Sequence, residues 1–349
     1  MGKIRLLDLS PPELAKFMGF LGERPFRAKQ IAAWLFRKGA TSFSEMTDIS
    51  QRARDLIKER ADIAPLLSPL EIVKAPDLTR KILWLAPDGQ KFESVLIPQN
   101  DHLTLCLSTQ VGCQMGCQFC RTGEMGYVRD LSPGEILGQI LGVKKLLTAK
   151  ERLTNLVFMG MGEPLLNLEP VTKSLAIISS PDYLALAGKR ISISTVGIVP
   201  GIEALGQSSL DFGLTVSLGA PTDELRDQLM PINRKYPLAA LKKALAAYPL
   251  KRGRRLTIAY ILLKGINDGP SEALALSRYL AGLKTKINLI PFNPWPNSPF
   301  ERPSEETIQK FWRTLYDKGH TVIVRWSKGE EIAGACGQLA GQTSGQIGG

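Results

Sequence analysis

From about residue 90 onward, short apolar runs alternate with segments of helical spacing, and this alternation restricts the fold more than any other feature of the chain. The runs Leu103–Ser108, Leu153–Phe158, Arg190–Ser194, Phe212–Leu218, Leu256–Leu262 and Lys286–Ile290 have strand length. Between them the spacing predicts helices over about 133–147, 169–179, 200–206, 223–229, 238–247 and 271–283. Strands separated by crossover helices pair in parallel. Six such units are too few for a closed eight-stranded barrel, so an open, partial (β/α)6 barrel of the α/β class is expected. A last helix near 304–318 and a strand near 320–326 would close it off.

Residues 1 to about 85 read instead as small helices, an accessory domain preceding a barrel over 86–340. Ser10-Pro-Pro-Glu13 and, further on, Ser132-Pro-Gly-Glu135 carry the capping-box pattern of a helix start. In Phe26–Phe36 the residues Phe26, Ile31, Trp34 and Leu35 form an apolar stripe, flanked by Arg24, Arg27, Lys29, Arg37 and Lys38. Such a basic module suits RNA contact; it also suits a solvated helix face. The tail 341–349, rich in Gly, Gln and Ser, is expected to be disordered.

Charge supports a polyanionic partner: 44 Lys and Arg against 33 Asp and Glu give +11. A chain of 349 residues buries enough apolar surface to need no disulfides. No apolar run is long enough to span a bilayer and no secretory segment is evident, so a cytoplasmic, monomeric protein with no membrane partner is expected.

Five cysteines stand at Cys106, Cys113, Cys117, Cys120 and Cys336. Three of them form C-x3-C-x2-C in a loop just after a strand. Thiolates are the usual ligands of a 4Fe–4S cluster, and three of them leave one iron open. A structural zinc site closes four ligands, and no fourth Cys or His is near. An open iron is what chelation by S-adenosylmethionine requires. Gly162-Glu163-Pro164 follows the second strand, at the end where barrel enzymes carry their sites, though as bare residues it also reads as a tight turn.

In these motifs the chain resembles the radical S-adenosylmethionine superfamily, and more narrowly the RlmN/Cfr family of RNA adenine methyltransferases. The narrower resemblance rests on Pro25–Trp34 with Glu45–Asp48, Glu93–Pro98 with Cys106–Cys113, Phe158–Asn167 with Ile193–Gly197, and Asn288–Pro294 with Val324-Arg325 and Ala335–Leu339. It implies a 4Fe–4S cluster on Cys113, Cys117 and Cys120, and S-adenosylmethionine as both methyl donor and radical source. Gly162 and Glu163 would hold the cofactor's amino group, with Ser194, Ser217, Leu218, Gly219 and Asn293 as further contacts. The family has Ser-Leu-His where this chain has Ser217-Leu218-Gly219, so a side-chain contact is lost there.

The resemblance also implies a methyl relay. Cys336 is methylated, its methyl group is activated by hydrogen abstraction and adds to an adenine carbon, and Cys106 resolves the protein–RNA thioether by forming a disulfide with Cys336. An external one-electron reductant serves the cluster, and the disulfide must be reset by reduction. Glu93 matches the family's proton acceptor; the residues leave open whether Glu93 or Cys106 removes the ring proton. Pro291-Phe-Asn-Pro-Trp-Pro296 resembles the carbon-2 branch, which acts on a 23S rRNA adenosine and on tRNA. The alternatives are the carbon-8 branch, or a radical enzyme acting on another substrate.

Overall fold

The computed structural model describes residues 2–63 and 67–341; the tail expectation for 342–349 lies outside the described residues. The central sheet has ten strands whose spatial order is their chain order. They are β1 (Ser68–Lys74), β2 (Arg80–Leu85), β3 (Lys91–Gln99), β4 (His102–Cys106), β5 (Leu153–Phe158), β6 (Ile191–Thr195), β7 (Gly213–Ser217), β8 (Leu256–Leu262), β9 (Thr285–Pro291) and β10 (Val322–Val324). Strands β4 to β10 pair in parallel. They are the six expected units and the closing strand.

Besides the single turn Arg121–Glu124, the α-helices among the described residues are α1 (Pro11–Phe20), α2 (Phe26–Ala32), α3 (Gln51–Arg60), α4 (Pro133–Leu146), α5 (Leu168–Ser179), α6 (Val199–Gln207), α7 (Asp223–Leu229), α8 (Leu238–Ala247), α9 (Pro270–Leu280) and α10 (Glu305–Asp317). Both capping boxes form: the Glu13 carboxylate accepts from Ser10 N at 2.8 Å, and that of Glu135 from Ser132 N at 2.8 Å. No helix among the described residues is long and apolar enough to cross a membrane.

The expectation of helices as far as residue 85 is corrected. Strands β1 to β3 form an antiparallel meander that joins the barrel through β4. Its two turns are Asp-centred: Asp77 Oδ1 accepts from Thr79 N at 2.9 Å and Asp88 Oδ1 from Gln90 N at 3.1 Å, with Gly89 at φ +83°. A boundary at 85/86 would cut this meander between β2 and β3. The meander is fixed by Trp84, fully buried, whose Nε1 donates to Ser94 Oγ at 2.8 Å. Gly142 on α4 admits the indole, because a Cβ there would lie 2.7 Å from the ring.

The helical module closes where Ile4–Arg5 pairs with Ala61–Asp62. Ile31 and Leu35 are buried as the stripe predicts, but Phe26 is half exposed beneath the Arg27 guanidinium, 5.0 Å from the ring centre. The turns widen over Ala33–Lys38, which brings Trp34 Nε1 to Asp48 Oδ1 at 2.5 Å. Two of the flanking basic residues serve the fold: Arg37 donates to the Tyr183 carbonyl at 3.1 Å and to the Pro181 carbonyl, and Lys29 pairs with Asp182 at 3.0 Å. They dock the module on the segment after α5.

Candidate active site in the barrel lumen

The cysteine loop lies between two short strands, Gln110–Gly112 and Tyr127–Asp130, paired antiparallel. Gly112 is required at their junction: it has φ +74°, and a Cβ would lie 2.0 Å from the Gly126 carbonyl. Cys113 N donates to that carbonyl at 2.7 Å, and Cys120 N to Cys117 O at 3.0 Å. All three cysteines line one cavity of about 180 Å³, shared with Gly162, Glu163, Ser194 and Ser217. Burial pushes all three thiols up, Cys113 to about 12. Ionising them requires a cationic group in the cavity, which an iron cluster is. Among the described residues no three His, Cys, Asp or Glu stand close enough to hold a single metal ion. Three thiols facing one cavity match the thiolate ligands that an iron–sulfur cluster takes.

Glu163 is 2% exposed. Its Oε1 accepts from Leu165 N at 3.0 Å and its Oε2 from Val196 N at 2.8 Å, while Glu163 N donates to Gln110 Oε1 at 2.8 Å. Desolvation nevertheless outweighs these bonds and lifts its pKa to about 7. Gly162 lets the chain pass Gln110: with φ +98°, a Cβ would lie 2.5 Å from the Gln110 side chain. Ser194 Oγ and Ser217 Oγ are 3.4 Å apart on the same wall.

Leu218, Gly219 and Asn293 are not among the residues that line this cavity. Leu218 is fully buried and its carbonyl accepts from Arg226 Nε at 2.9 Å. Gly219 has φ +75°, and a Cβ would lie 2.3 Å from Met230 Sδ. Met230 therefore fills the space beside the position where a histidine side chain was expected, and itself lines the cavity. Asn293 Nδ2 donates to Ser327 Oγ at 2.9 Å and to the Cys336 carbonyl at 3.0 Å. Its task is to hold the cysteine segment.

Cys106 at the end of β4 and Cys336 both line a second cavity of about 390 Å³, and Cys120 and Cys336 belong to both cavities. Cys336 is exposed and lines this cavity, and desolvation by the atoms packed around its thiol still raises the thiol pKa. The Cys106 thiol is raised further, by burial and then by Cys336. The Cys336 segment is held by backbone bonds: Arg121 N donates to Gly337 O at 2.8 Å and Thr122 Oγ1 to Leu339 O at 2.7 Å. Gln338 Nε2 donates to Pro294 O at 2.6 Å.

Glu93 lies in an inner strand, fully buried, and does not line the Cys106–Cys336 cavity. Its Oε2 accepts from Ala340 N at 2.8 Å and Gly341 N at 3.0 Å. Its Oε1 lies 3.0 Å from Lys81 Nζ, an ion pair whose ammonium is off the hydrogen-bonding direction. The side chain anchors the end of the cysteine segment.

Two family models match the chain: the ribosomal RNA large subunit methyltransferase N-terminal domain over residues 4–63, and the radical SAM superfamily over 107–276. The dual-specificity RNA methyltransferase RlmN of Syntrophus aciditrophicus is 45% identical over 342 residues, 98% of either chain. That of Geobacter sulfurreducens is 47% identical over 339 residues, 97% of this chain and 92% of the other. The chain belongs to the RlmN family. A radical SAM methyltransferase structure from Sphaerobacter thermophilus superposes with a TM-score of 0.91 at 39% identity, over 97% of this chain and 100% of that one. The RlmN N-terminal match ends at residue 63, where the helical module closes.

The partial radical-SAM barrel of this RlmN-family chain brings all five cysteines and Glu163, Ser194 and Ser217 to one lumen. Three supporting residues had no sequence signal of their own. Arg226 is fully buried, donating to Val196 O at 2.6 Å and Asn233 Oδ1 at 2.7 Å, and its charge favours the Cys117 thiolate. Lys81 and Met230 are identified only by what they meet in space.

Proposed function

We propose that this chain methylates carbon 2 of an adenosine in 23S rRNA and in tRNA through a methyl relay on Cys336. The observation that carries the reading is the placement of Cys106, Cys120 and Cys336 around one cavity continuous with the Glu163 site. Cys113, Cys117 and Cys120 hold the cluster, and Glu163, Ser194 and Ser217 hold S-adenosylmethionine. When bound, these groups supply a methyl donor and a hydrogen-abstracting radical.

The chain's own work is positional. Desolvation raises the pKa of both relay thiols, which favours their protonated form at rest. Asn293, Thr122, Gln338 and Glu93 fix the backbone on either side of Cys336. Cys106 then stands where its sulfur can attack the Cys336 sulfur of a protein–RNA thioether. That attack forms the S–S bond and breaks the bond from the Cys336 sulfur to the methylene carbon, which keeps the electron pair and takes up a proton to leave as the methyl group of the base. Two electrons and two protons from an external reductant restore both thiols. The basic helical module supplies further contact to the RNA backbone, and the chain works as a monomer with a one-electron donor for the cluster.

The test is mass spectrometry of nucleosides after anaerobic reaction of the reconstituted protein with unmodified 23S rRNA and methyl-labelled S-adenosylmethionine. Labelled 2-methyladenosine is expected. Labelled 8-methyladenosine would move the chain to the carbon-8 branch. No label in rRNA or tRNA, from a protein that still cleaves the cofactor, would overturn the substrate assignment.

A further inference from the structure

The lumen does not end at Cys336. Seven residues, among them Thr104, Ser192, Thr257, Lys286 and Arg325, line both the Cys106–Cys336 cavity and a third cavity of about 720 Å³. This third cavity opens among the first residues of the parallel strands, such as Ser192 on β6, Gly213 on β7 and Lys286 on β9. The cysteine triplet and Glu163 lie at the other end, beyond the strands' last residues. A base that reacts at Cys336 therefore has a route to it that does not cross the cofactor site.

That mouth is strongly basic. Seven lysines and arginines line it, and Asp211 is its one carboxylate. Asp211 is already engaged, by Arg254 at 3.0 Å and Lys251 at 3.6 Å. Deeper in, Lys286 and Arg325 belong to the wall shared with the Cys336 cavity. Lys286 is half-buried, and its charged neighbours are Arg325 and Arg254, both cations. Like charges crowded into a recess whose single carboxylate is already paired are unfavourable for the free protein and favour an anionic ligand.

We propose that Lys286 and Arg325 form a phosphate clamp in this throat, gripping the backbone on either side of the target nucleotide while its unstacked base reaches Cys336. The Arg254–Arg255 rim then meets the phosphates further along the strand. The inference rests on the RNA methyltransferase reading. Pulling a base from its stack costs a few kcal/mol, and phosphate contacts on its own flanks offset that cost where it arises.

The experiment is fluorescence anisotropy of the full chain with a labelled, unmodified RNA stem–loop carrying an unpaired adenosine, over a series of salt concentrations. Each phosphate contact to a single strand contributes about 0.7 to the slope of log K against log salt. Lys286→Met and Arg325→Gln are each expected to lower the slope by about that amount, whereas Lys310→Gln on the outer face of α10 leaves it alone. Lys286→Arg is expected to restore binding. A stem–loop with neutral methylphosphonates flanking the adenosine should bind the wild-type chain as weakly as the unmodified RNA binds the two throat variants, with no further loss in those variants. Unchanged slopes in both variants, or additive losses with the methylphosphonate RNA, overturn the clamp. If Lys286→Met does not fold, the methylphosphonate RNA on the wild-type chain decides: undiminished binding overturns it. A wild-type chain that does not bind this RNA at all sinks the RNA reading itself.

Discussion

Replacing Glu93 by Gln separates two tasks of one carboxylate. The first is to neutralise Lys81, which is 4% exposed and 3.0 Å from Oε1. The amide leaves a buried ammonium without a counter-charge, and removing one partner of such a pair costs about 3–5 kcal/mol. Unfolding entropy of roughly 2.1 cal/mol/K per residue gives about 0.7 kcal/mol/K here, so the melting midpoint should fall by about 4–7 °C. The second task is local. Oε2 accepts from Ala340 N and Gly341 N at 2.8 and 3.0 Å, and a neutral amide oxygen weakens each bond by about 0.5–1.5 kcal/mol. For the two bonds together this is about 1–3 kcal/mol, or roughly 5- to 150-fold faster opening of the segment.

The double variant Lys81→Met/Glu93→Gln tells the tasks apart. Removing both charges should return the midpoint close to wild type, because neutral replacement of a buried pair is often without net cost. The two charge-assisted bonds are still gone, so the segment after Cys336 should stay loose. Calorimetry reads the first effect, and hydrogen exchange at Ala340 and Gly341 reads the second. Exchange that recovers together with the midpoint, or that never changes in the single variant, would refute the anchoring argument and leave Glu93 free for proton transfer.

Cys106→Ala should accumulate a covalent protein–RNA adduct through Cys336, visible as a mobility shift on denaturing gels, and Cys336→Ala should give none; an adduct missing from both would sink the relay. Glu163 has its pKa raised from 4.5 to about 7, so the stability it contributes is complete below about 4.5 and is lost as pH rises through about 7. The cofactor-free chain should therefore melt lower at pH 8 than at pH 5.5, and Glu163→Gln should flatten that trend while weakening S-adenosylmethionine binding most above pH 7. Gly219→Ala forces a side chain onto φ +75° and against Met230 Sδ. About 2–4 kcal/mol of destabilisation is expected from strain and overpacking, read by denaturant unfolding, with partial recovery in Gly219→Ala/Met230→Ala.

The barrel was legible because its information is local. Leu153–Phe158 and Leu256–Leu262 start and stop where their apolar runs do, and α7 and α8 lie over the residues that their spacing predicts. Ser132 and Glu135 mark a helix start three residues apart. The meander was missed although its turns, Ala-Pro-Asp-Leu-Thr and Ala-Pro-Asp-Gly-Gln, carry the hairpin signal of an Asp at the bend. The first 60 residues are mostly helical, and alternation takes over only from Ser68 onward.

What the sequence does not hold locally is the pairing of distant residues. The sequence motif around Asn293 does not show that its side chain bonds Ser327 and the Cys336 carbonyl, residues 34 and 43 positions away. Glu93 shows the same limit: 247 residues separate it from Ala340, and only the folded sheet brings β3 beside the cysteine segment. A relay cysteine has to meet a cofactor on one side and a resolving thiol and a base on the other. A loop can satisfy that only if bonds from several elements hold it, and here they come from Glu93 on β3, Arg121 and Thr122 after the cysteine triplet, and Asn293 and Pro294 after β9. Three of the elements around the lumen thus also anchor Cys336, so loosening any one anchor should misplace the cysteine before it unfolds the barrel.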